Sequence, residues 1–148
     1  MNEKGLPIQG FTFVDHTADV AARLRGATLD DLFAAAAGAL TAAITVPESV
    51  APTRSFTVSL EASDLELLLV DWVGELLYRF ETEQLLVAAA RPCVTEQDGR
   101  WRVEAEIFGE IRDRTRHPIK VLVKAVTFHG LRIEHGPDGY ETLLVFDI

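Results

Sequence analysis

Carboxylates lie near both ends of this sequence, in segments that could meet as a cation site. Asp15 and Asp19 lie near the start, at a joint between two short β-prone segments. Asp147 precedes the last residue, Ile148, whose free α-carboxylate adds further anionic oxygen atoms. Hard cations such as calcium and magnesium prefer oxygen ligands, whereas zinc favours nitrogen and sulfur. If the two segments meet in the fold, they form an oxygen-rich pocket for a calcium or magnesium ion.

The same residues also have structural explanations. Aspartates at strand ends and turns commonly accept hydrogen bonds from backbone amides, which accounts for Asp15 and Asp19 without a metal. His16, between them, fits a hydrogen-bonded residue at the joint. Asp147 differs because its neighbours are apolar and strand-like, so its carboxylate must face solvent or bind a partner. From residue types alone, the structural explanation outweighs the metal site.

No conventional catalytic pattern occurs elsewhere in the sequence. It has no phosphate-binding glycine loop, nucleophile elbow or paired-histidine metal motif. The single cysteine, Cys93, lies in a strand-like setting that predicts a buried, inert thiol. A basic cluster from Arg112 to His117 fits either a solvated loop that balances nearby acids or a contact to RNA phosphates or an acidic protein. Lys124 stands in an apolar run, where we expect it to have a partner.

Composition predicts one soluble domain. The chain has 148 residues, of which 48% are hydrophobic and 25% charged, and these proportions suit a single globular core. A net charge of −9 disfavours non-specific binding to nucleic acid, so RNA contact would be at most indirect. The start of the sequence lacks the apolar segment of a signal peptide, and no apolar run reaches the length of a membrane span. We expect a cytoplasmic protein without membrane contact.

Hydrophobic periodicity predicts two amphipathic helices on a sheet. Thr28 and Asp64 are predicted helix caps, and apolar residues recur at helical spacing after each of them. The second helix has the strongest pattern in the sequence: Leu65, Leu68, Leu69, Trp72, Val73, Leu76, Leu77 and Phe80. The remaining segments alternate as strands, including 120–127 and 131–133, with a loop predicted over 110–118. The expected fold is α+β: one domain over residues 1–148, with both helices packed on a mainly antiparallel or mixed sheet.

Five motifs in order resemble the archease family. They are Asp15-His16-Thr17-Ala18-Asp19-Val20, Leu69-Val70-Asp71-Trp72-Val73-Gly74-Glu75-Leu76-Leu77, Arg116-His117, Lys124-Ala125-Val126-Thr127-Phe128-His129-Gly130-Leu131 and Val145-Phe146-Asp147-Ile148. Together they span the chain from residue 15 to its last residue. The loop from Glu110 to Pro118 departs from the family pattern, because it is richer in arginine.

The resemblance implies an accessory protein rather than an enzyme. Archeases assist the RtcB-type RNA ligase, which acts in tRNA splicing and RNA repair, by promoting its guanylylation and turnover. The resemblance also implies a divalent cation, calcium in preference to magnesium, bound by Asp19, Asp147 and the main-chain carboxylate of Ile148. Asp15 and His16 are then supporting residues, and Lys124 is a contact to the ligase or its nucleotide. Two alternatives remain: a stand-alone metal-dependent phosphoesterase, and a general chaperone or interaction module.

Overall fold

Both predicted helices and most of the predicted strands occur in the structure, a computed structural model that describes residues 10–14, 19–128 and 131–148. The strands and helices, in chain order, are β1 (Phe11–Val14), β2 (Asp19–Gly26), α1 (Leu29–Ile44), β3 (Arg54–Ala62), α2 (Leu65–Glu83), β4 (Leu85–Gln97), β5 (Arg100–Ile111), β6 (Ala125–Thr127), β7 (Glu134–Gly136) and β8 (Gly139–Asp147). A short 3-10 turn, Pro47–Ser49, follows α1. In these ranges, no helix has the length and apolarity needed to cross a membrane.

Both predicted helix starts are confirmed. The hydroxyl of Thr28 accepts a hydrogen bond from the Asp31 amide at 3.1 Å, and the carboxylate of Asp64 accepts one from the Leu67 amide at 2.7 Å. Each cap satisfies an amide that the first helical turn leaves without a partner. At its other end, α2 stops at Gln84, which adopts a left-handed conformation with φ of 59°.

The helices pack against two antiparallel sheets. One sheet has the order β1-β2-β8-β6, with β7 also paired to β8, and the other has the order β3-β5-β4. Every strand pair in the described ranges is antiparallel. The predicted α+β class is therefore confirmed, and the strands divide between two sheets rather than forming one.

The buried helix α1 joins these layers. Most of its residues are buried, and its many alanines allow close approach to its neighbours. The Trp72 indole of α2 donates to the Phe33 carbonyl of α1 at 2.9 Å. The Thr41 hydroxyl of α1 donates to the Val87 carbonyl of β4 at 2.7 Å. One core thus includes both helices and residues from both sheets.

Three local predictions are wrong. Only Ala125–Thr127 of the predicted 120–127 strand is a strand, because the Lys120 amide donates to the Ile44 carbonyl at the end of α1. The strand predicted at 131–133 begins instead at Glu134. Cys93 is exposed rather than buried, because its neighbours in β4, Pro92 and Val94, take the inward-facing positions.

Candidate functional site

The two acidic segments meet at one end of the β2–β8 pair. Asp19, the first residue of β2, lies directly opposite Asp147, the last residue of β8. Directly opposed residues in an antiparallel pair have Cα atoms about 4.5–5.5 Å apart and side chains on the same face. Asp19 is partly buried and Asp147 is exposed, so the two carboxylates share a position at the boundary with solvent.

Core packing sets this register. Ala22 and Leu24 of β2 and Leu144 and Phe146 of β8 are all fully buried. A shift of the pairing by one residue would turn these side chains toward solvent, because side chains alternate along a strand. An ion pair between Arg23 and Glu141, with 3.0 Å between the nitrogen and oxygen atoms, supports the same alignment. Asp147 is therefore placed opposite Asp19 by the buried residues that precede it.

Lys124 lies on the other side of β8, and Ile148 follows the end of that strand. β6 pairs with β8 there, with Ala125 opposite Asp147, and the Lys124 amide donates to the Asp147 carbonyl at 2.8 Å. Ile148 is 44% exposed at the end of the chain. The Lys124 side chain is also exposed, so burial does not force a partner on it, and its predicted contact to a partner stays a prediction. These backbone contacts nevertheless bring Lys124 beside the two final residues.

The donor set at this end fits a hard cation. The side chains of Asp19 and Asp147 and the terminal carboxylate of Ile148 offer only oxygen atoms, as calcium and magnesium require. Asp15 and His16 lie outside the described residues, so their predicted supporting roles stay predictions. Within the described ranges, no three His, Cys, Asp or Glu side chains gather as a metal site. The candidate therefore depends on the main-chain carboxylate as its third ligand.

A polar cluster around two buried residues, which the sequence did not reveal, closes the loop after β5. We call Glu110, Asp113, Arg116 and His117 the Glu110 cluster. Glu110, predicted in a loop, is instead a residue of β5 with 7% of its surface exposed. Its carboxylate accepts hydrogen bonds from the Ala51 amide at 2.6 Å and from the Arg116 guanidinium at 2.5 and 3.1 Å. The hydrogen bonds from Arg116, followed by that from Ala51, lower the pKa of Glu110 to about 2.

His117 occupies the centre of the Glu110 cluster and is fully buried. Its Nδ1 atom accepts a hydrogen bond from the Asp113 amide at 2.8 Å, which assigns the ring proton to Nε2 in the neutral imidazole. Nε2 then lies within donating distance of the Ser49 carbonyl at 3.0 Å and the Glu110 carboxylate at 3.1 Å. Every ring nitrogen thus has a partner inside the protein.

These contacts confirm that 112–117 balances nearby acids, because Arg116 pairs with Glu110 and Asp113, and they correct only the expectation that the whole stretch is solvated, because His117 is buried. Arg116 binds Glu110, and the Arg112 guanidinium donates to the His117 carbonyl at 3.1 Å. Hydrogen bonds from the Thr115 hydroxyl and amide, in that order, lower the pKa of Asp113 to about 2. The polar groups of this loop are used largely for its own structure. Two of its three arginines are engaged, which weakens the alternative of a phosphate-binding patch.

Comparisons with known proteins identify the family of this chain. The profile of the Archease protein family (MTH1598/TM1083) matches residues 11–148. The chain is 35% identical to the protein archease of Pyrobaculum neutrophilum over 139 residues, which are 93% of this chain and 95% of that protein. It is 36% identical to the protein archease of Archaeoglobus fulgidus, over 93% of this chain and 98% of that protein.

Solved structures have the same fold. The solution structure of protein 1598 from Methanobacterium thermoautotrophicum superposes with a TM-score of 0.78 at 28% identity, and the match covers 95% of this chain and all of that chain. The crystal structure of a Thermotoga maritima archease, described as a possible chaperone, has a TM-score of 0.59 at 20% identity and covers 91% and 94% of the two chains. The second likeness supports the fold alone. With a family profile over nearly its whole length and full-length relatives above 30% identity, the chain belongs to the archease family.

Proposed function

We propose that this protein is a cytoplasmic, metal-binding accessory protein that activates an RtcB-type RNA ligase in tRNA splicing or RNA repair. The proposal combines membership of the archease family with one structural observation, the direct opposition of Asp19 and Asp147 at an exposed strand end. Two carboxylate side chains at one solvent-accessible strand end offer oxygen atoms that a single cation can share. Core packing brings both acids to this end, and a shared cation would use the oxygen atoms that it gathers there.

The ligands of that cation would be Asp19, Asp147 and the terminal carboxylate of Ile148. A divalent ion bound there supplies positive charge that can orient a phosphate or carboxylate of the partner. We favour calcium over magnesium because calcium tolerates variable ligand numbers and geometry, whereas magnesium requires a near-ideal octahedron. The exposed Lys124, on the neighbouring backbone, adds a second positive group that could contact the ligase or its nucleotide.

The direct test measures guanylylation of the ligase. Purified ligase is mixed with GTP and manganese, with or without this protein, and the rate of formation of the guanylylated enzyme is followed. We expect acceleration by the wild type and loss of most of it with Asp147→Ala. Glu96→Ala is the matched control, because Glu96 is an exposed acid at the far end of β4. An undiminished effect of Asp147→Ala, or no acceleration by the wild type, would contradict the proposal.

Two alternatives give different results in the same preparations. A stand-alone phosphoesterase would release phosphate from a model phosphoester with added divalent metal and no ligase, and Asp147→Ala would abolish this turnover. A general chaperone, the role suggested for the Thermotoga relative, would suppress aggregation of an unrelated unfolded protein, and Asp147→Ala would leave that effect unchanged. Dependence on both the ligase and Asp147 distinguishes the proposed function from each of them.

A further inference from the structure

The outer edge of β3 is available for pairing with another strand. β3 lies at the end of the three-stranded sheet, and β5 is the only strand in the described ranges that pairs with it. It is nine residues long, from Arg54 to Ala62, and pairs with β5 without a break in register. Alternate backbone amides and carbonyls of β3 therefore point away from β5, toward the free edge.

Three features that prevent strand addition are absent from β3 itself: a bulge in its pairing with β5, a proline, and a charge in its middle. At the opposite end of the sheet, β4 has a register shift between Val87 and Ala89, a proline at position 92, and a hydrogen bond from Thr41 of α1 to its Val87 carbonyl. Bulges, prolines and covering elements are the usual means of blocking an edge. β3 has no proline, and none of its residues from Ser55 to Leu60 carries a charge.

The flank of α2 beside β3 extends the surface. The Arg79 guanidinium lies 5.0 Å from the centroid of the Phe56 ring, which places this side of α2 along β3. Tyr78, which precedes Arg79, is 58% exposed although it is a large aromatic residue. Phe56 and Leu60, on the inward face of β3, are only partly buried. A strand added to this edge would remove apolar surface from water as well as satisfy backbone groups.

We propose that the strand added at this edge is β3 of a second copy of this chain, paired antiparallel about a two-fold axis at Val58. Such a dimer would join two three-stranded sheets into one six-stranded sheet. It would place Phe56 opposite Leu60 of the second copy on the inward face, and Thr57 opposite Ser59 of the second copy on the outer face. Aromatic–aliphatic and hydroxyl pairs of this kind stabilise opposed strands.

Pattern and charge favour this occupant. β3 has one polar face and one apolar face, which an added strand needs in order to continue both faces of the sheet. Its charged residues, Arg54 and Glu61, lie at opposite ends and on opposite faces, so antiparallel pairing brings unlike charges to the same end of the interface without placing them opposite each other. Parallel pairing would bring like charges together. The chain carries a net charge of −9, so an uncharged strand edge is where two copies can approach with the least repulsion. An axis at Thr57 would instead place Arg54 opposite Leu60.

Light scattering coupled to size-exclusion chromatography tests the dimer, and the double variant Thr57→Lys/Ser59→Lys tests its interface. Both side chains are exposed, so the variant should keep the monomer fold, yet each new lysine would face a lysine of the other copy. We expect a wild-type dimer and a monomeric variant. The variant changes the charge of each chain from −9 to −7 by its two added lysines, which reduces overall repulsion, so dissociation would reflect the edge itself.

The matched control is Thr95→Lys/Gln97→Lys, which adds the same charge at exposed positions of β4. This variant should remain a dimer. Hydrogen exchange of the wild type gives a second measurement, which does not depend on the lysine variant folding: amides of residues 54–62 should become more protected as the protein concentration rises. A monomeric wild type, a dimeric Thr57→Lys/Ser59→Lys variant, or protection of 54–62 that is independent of concentration would each overturn the proposal.

Discussion

Replacing Glu110 by glutamine should weaken the attachment of the loop that leads to β6. Glutamine preserves the size of the side chain and one acceptor oxygen, but it removes the charge that Arg116 binds. It also replaces an oxygen with an amide nitrogen, which cannot accept the hydrogen bonds from the Ala51 amide and His117 if it occupies the position of Oε2. The substitution therefore tests the Glu110 cluster with little change of shape.

The expected cost is about 2 kcal/mol in the free energy of unfolding at pH 7. A hydrogen bond to a charged group contributes about 1.5–3 kcal/mol. Removing one partner of a fully buried ion pair costs about 3–5 kcal/mol, but the Arg116 side chain is 49% exposed, so solvent compensates part of the loss.

The cost should also depend on pH. The pKa of Glu110 is lowered from 4.5 to about 2 in the folded protein, chiefly by Arg116. A lowered pKa stabilises the fold fully only above the pKa of the unfolded chain, and this contribution is lost as the pH falls through the folded value. Wild type should therefore lose its advantage over Glu110→Gln between about pH 4.5 and pH 2.

Urea unfolding of both proteins at pH 7 and pH 3 measures this difference. Glu106→Gln is the control, because Glu106 is an exposed acid on the same strand and its replacement should change stability by about 0.5 kcal/mol or less. If Glu110→Gln unfolds with the wild-type midpoint at pH 7, or if the difference between the two proteins is the same at both pH values, the assigned role of the cluster is wrong.

Two further predictions concern the cation and the backbone. Calcium should raise the midpoint of thermal unfolding of the wild type but not of Asp147→Ala or Asp19→Asn. The reason is that a ligand at one hundred times its dissociation constant stabilises the folded state by about 2.7 kcal/mol. An unchanged wild-type midpoint in millimolar calcium would argue against the metal site. Gly109→Ala should destabilise the fold by about 2 kcal/mol or more, because the added Cβ would overlap the Leu86 carbonyl oxygen of β4. In Gly74→Ala, by contrast, the added Cβ in α2 meets no atom within 4 Å, so this variant should stabilise the fold by about 1 kcal/mol. Circular dichroism melts of the two glycine variants compare them directly, and similar effects would contradict the packing at Gly109.

Local signals predicted the helices well. Both caps are formed by the predicted residues, and the periodic apolar positions of α2 from Leu68 to Phe80 are buried. These features depend on neighbours within a few residues, which a single sequence displays. The strand after Lys120 failed for the opposite reason: its β-prone residues pair only from Ala125, because the preceding backbone binds the end of α1.

Long-range pairing determined what the sequence could not show. Nothing in the residue types near Asp19 states that it faces Asp147, since that register results from buried residues far apart in the chain. The Glu110 cluster was missed for a similar reason. A charged stretch is usually solvated, and only the approach of Ala51 and Ser49 from a distant turn buries Glu110 and His117. In the sequence, the only indication of this cluster is that His117 follows a stretch of arginines and acidic residues.

The backbone segment from His117 to Lys124 connects the Glu110 cluster to the candidate cation site. After His117, two hydrogen bonds attach the chain to the end of α1. The Pro118 carbonyl accepts one from the Thr45 hydroxyl at 2.7 Å, and the Lys120 amide donates one to the Ile44 carbonyl at 2.7 Å. Four residues later the chain reaches Lys124, whose amide binds Asp147.

Asp147 is consequently held from both sides, by β2 and by β6. A backbone segment that has to become ordered on binding subtracts from affinity. Here the backbone at Asp147 is positioned before any cation or partner arrives. Weakening the Glu110 cluster should therefore reduce activation of the ligase even though none of its residues contacts Asp147, and Glu110→Gln should show a smaller loss than Asp147→Ala in the guanylylation assay.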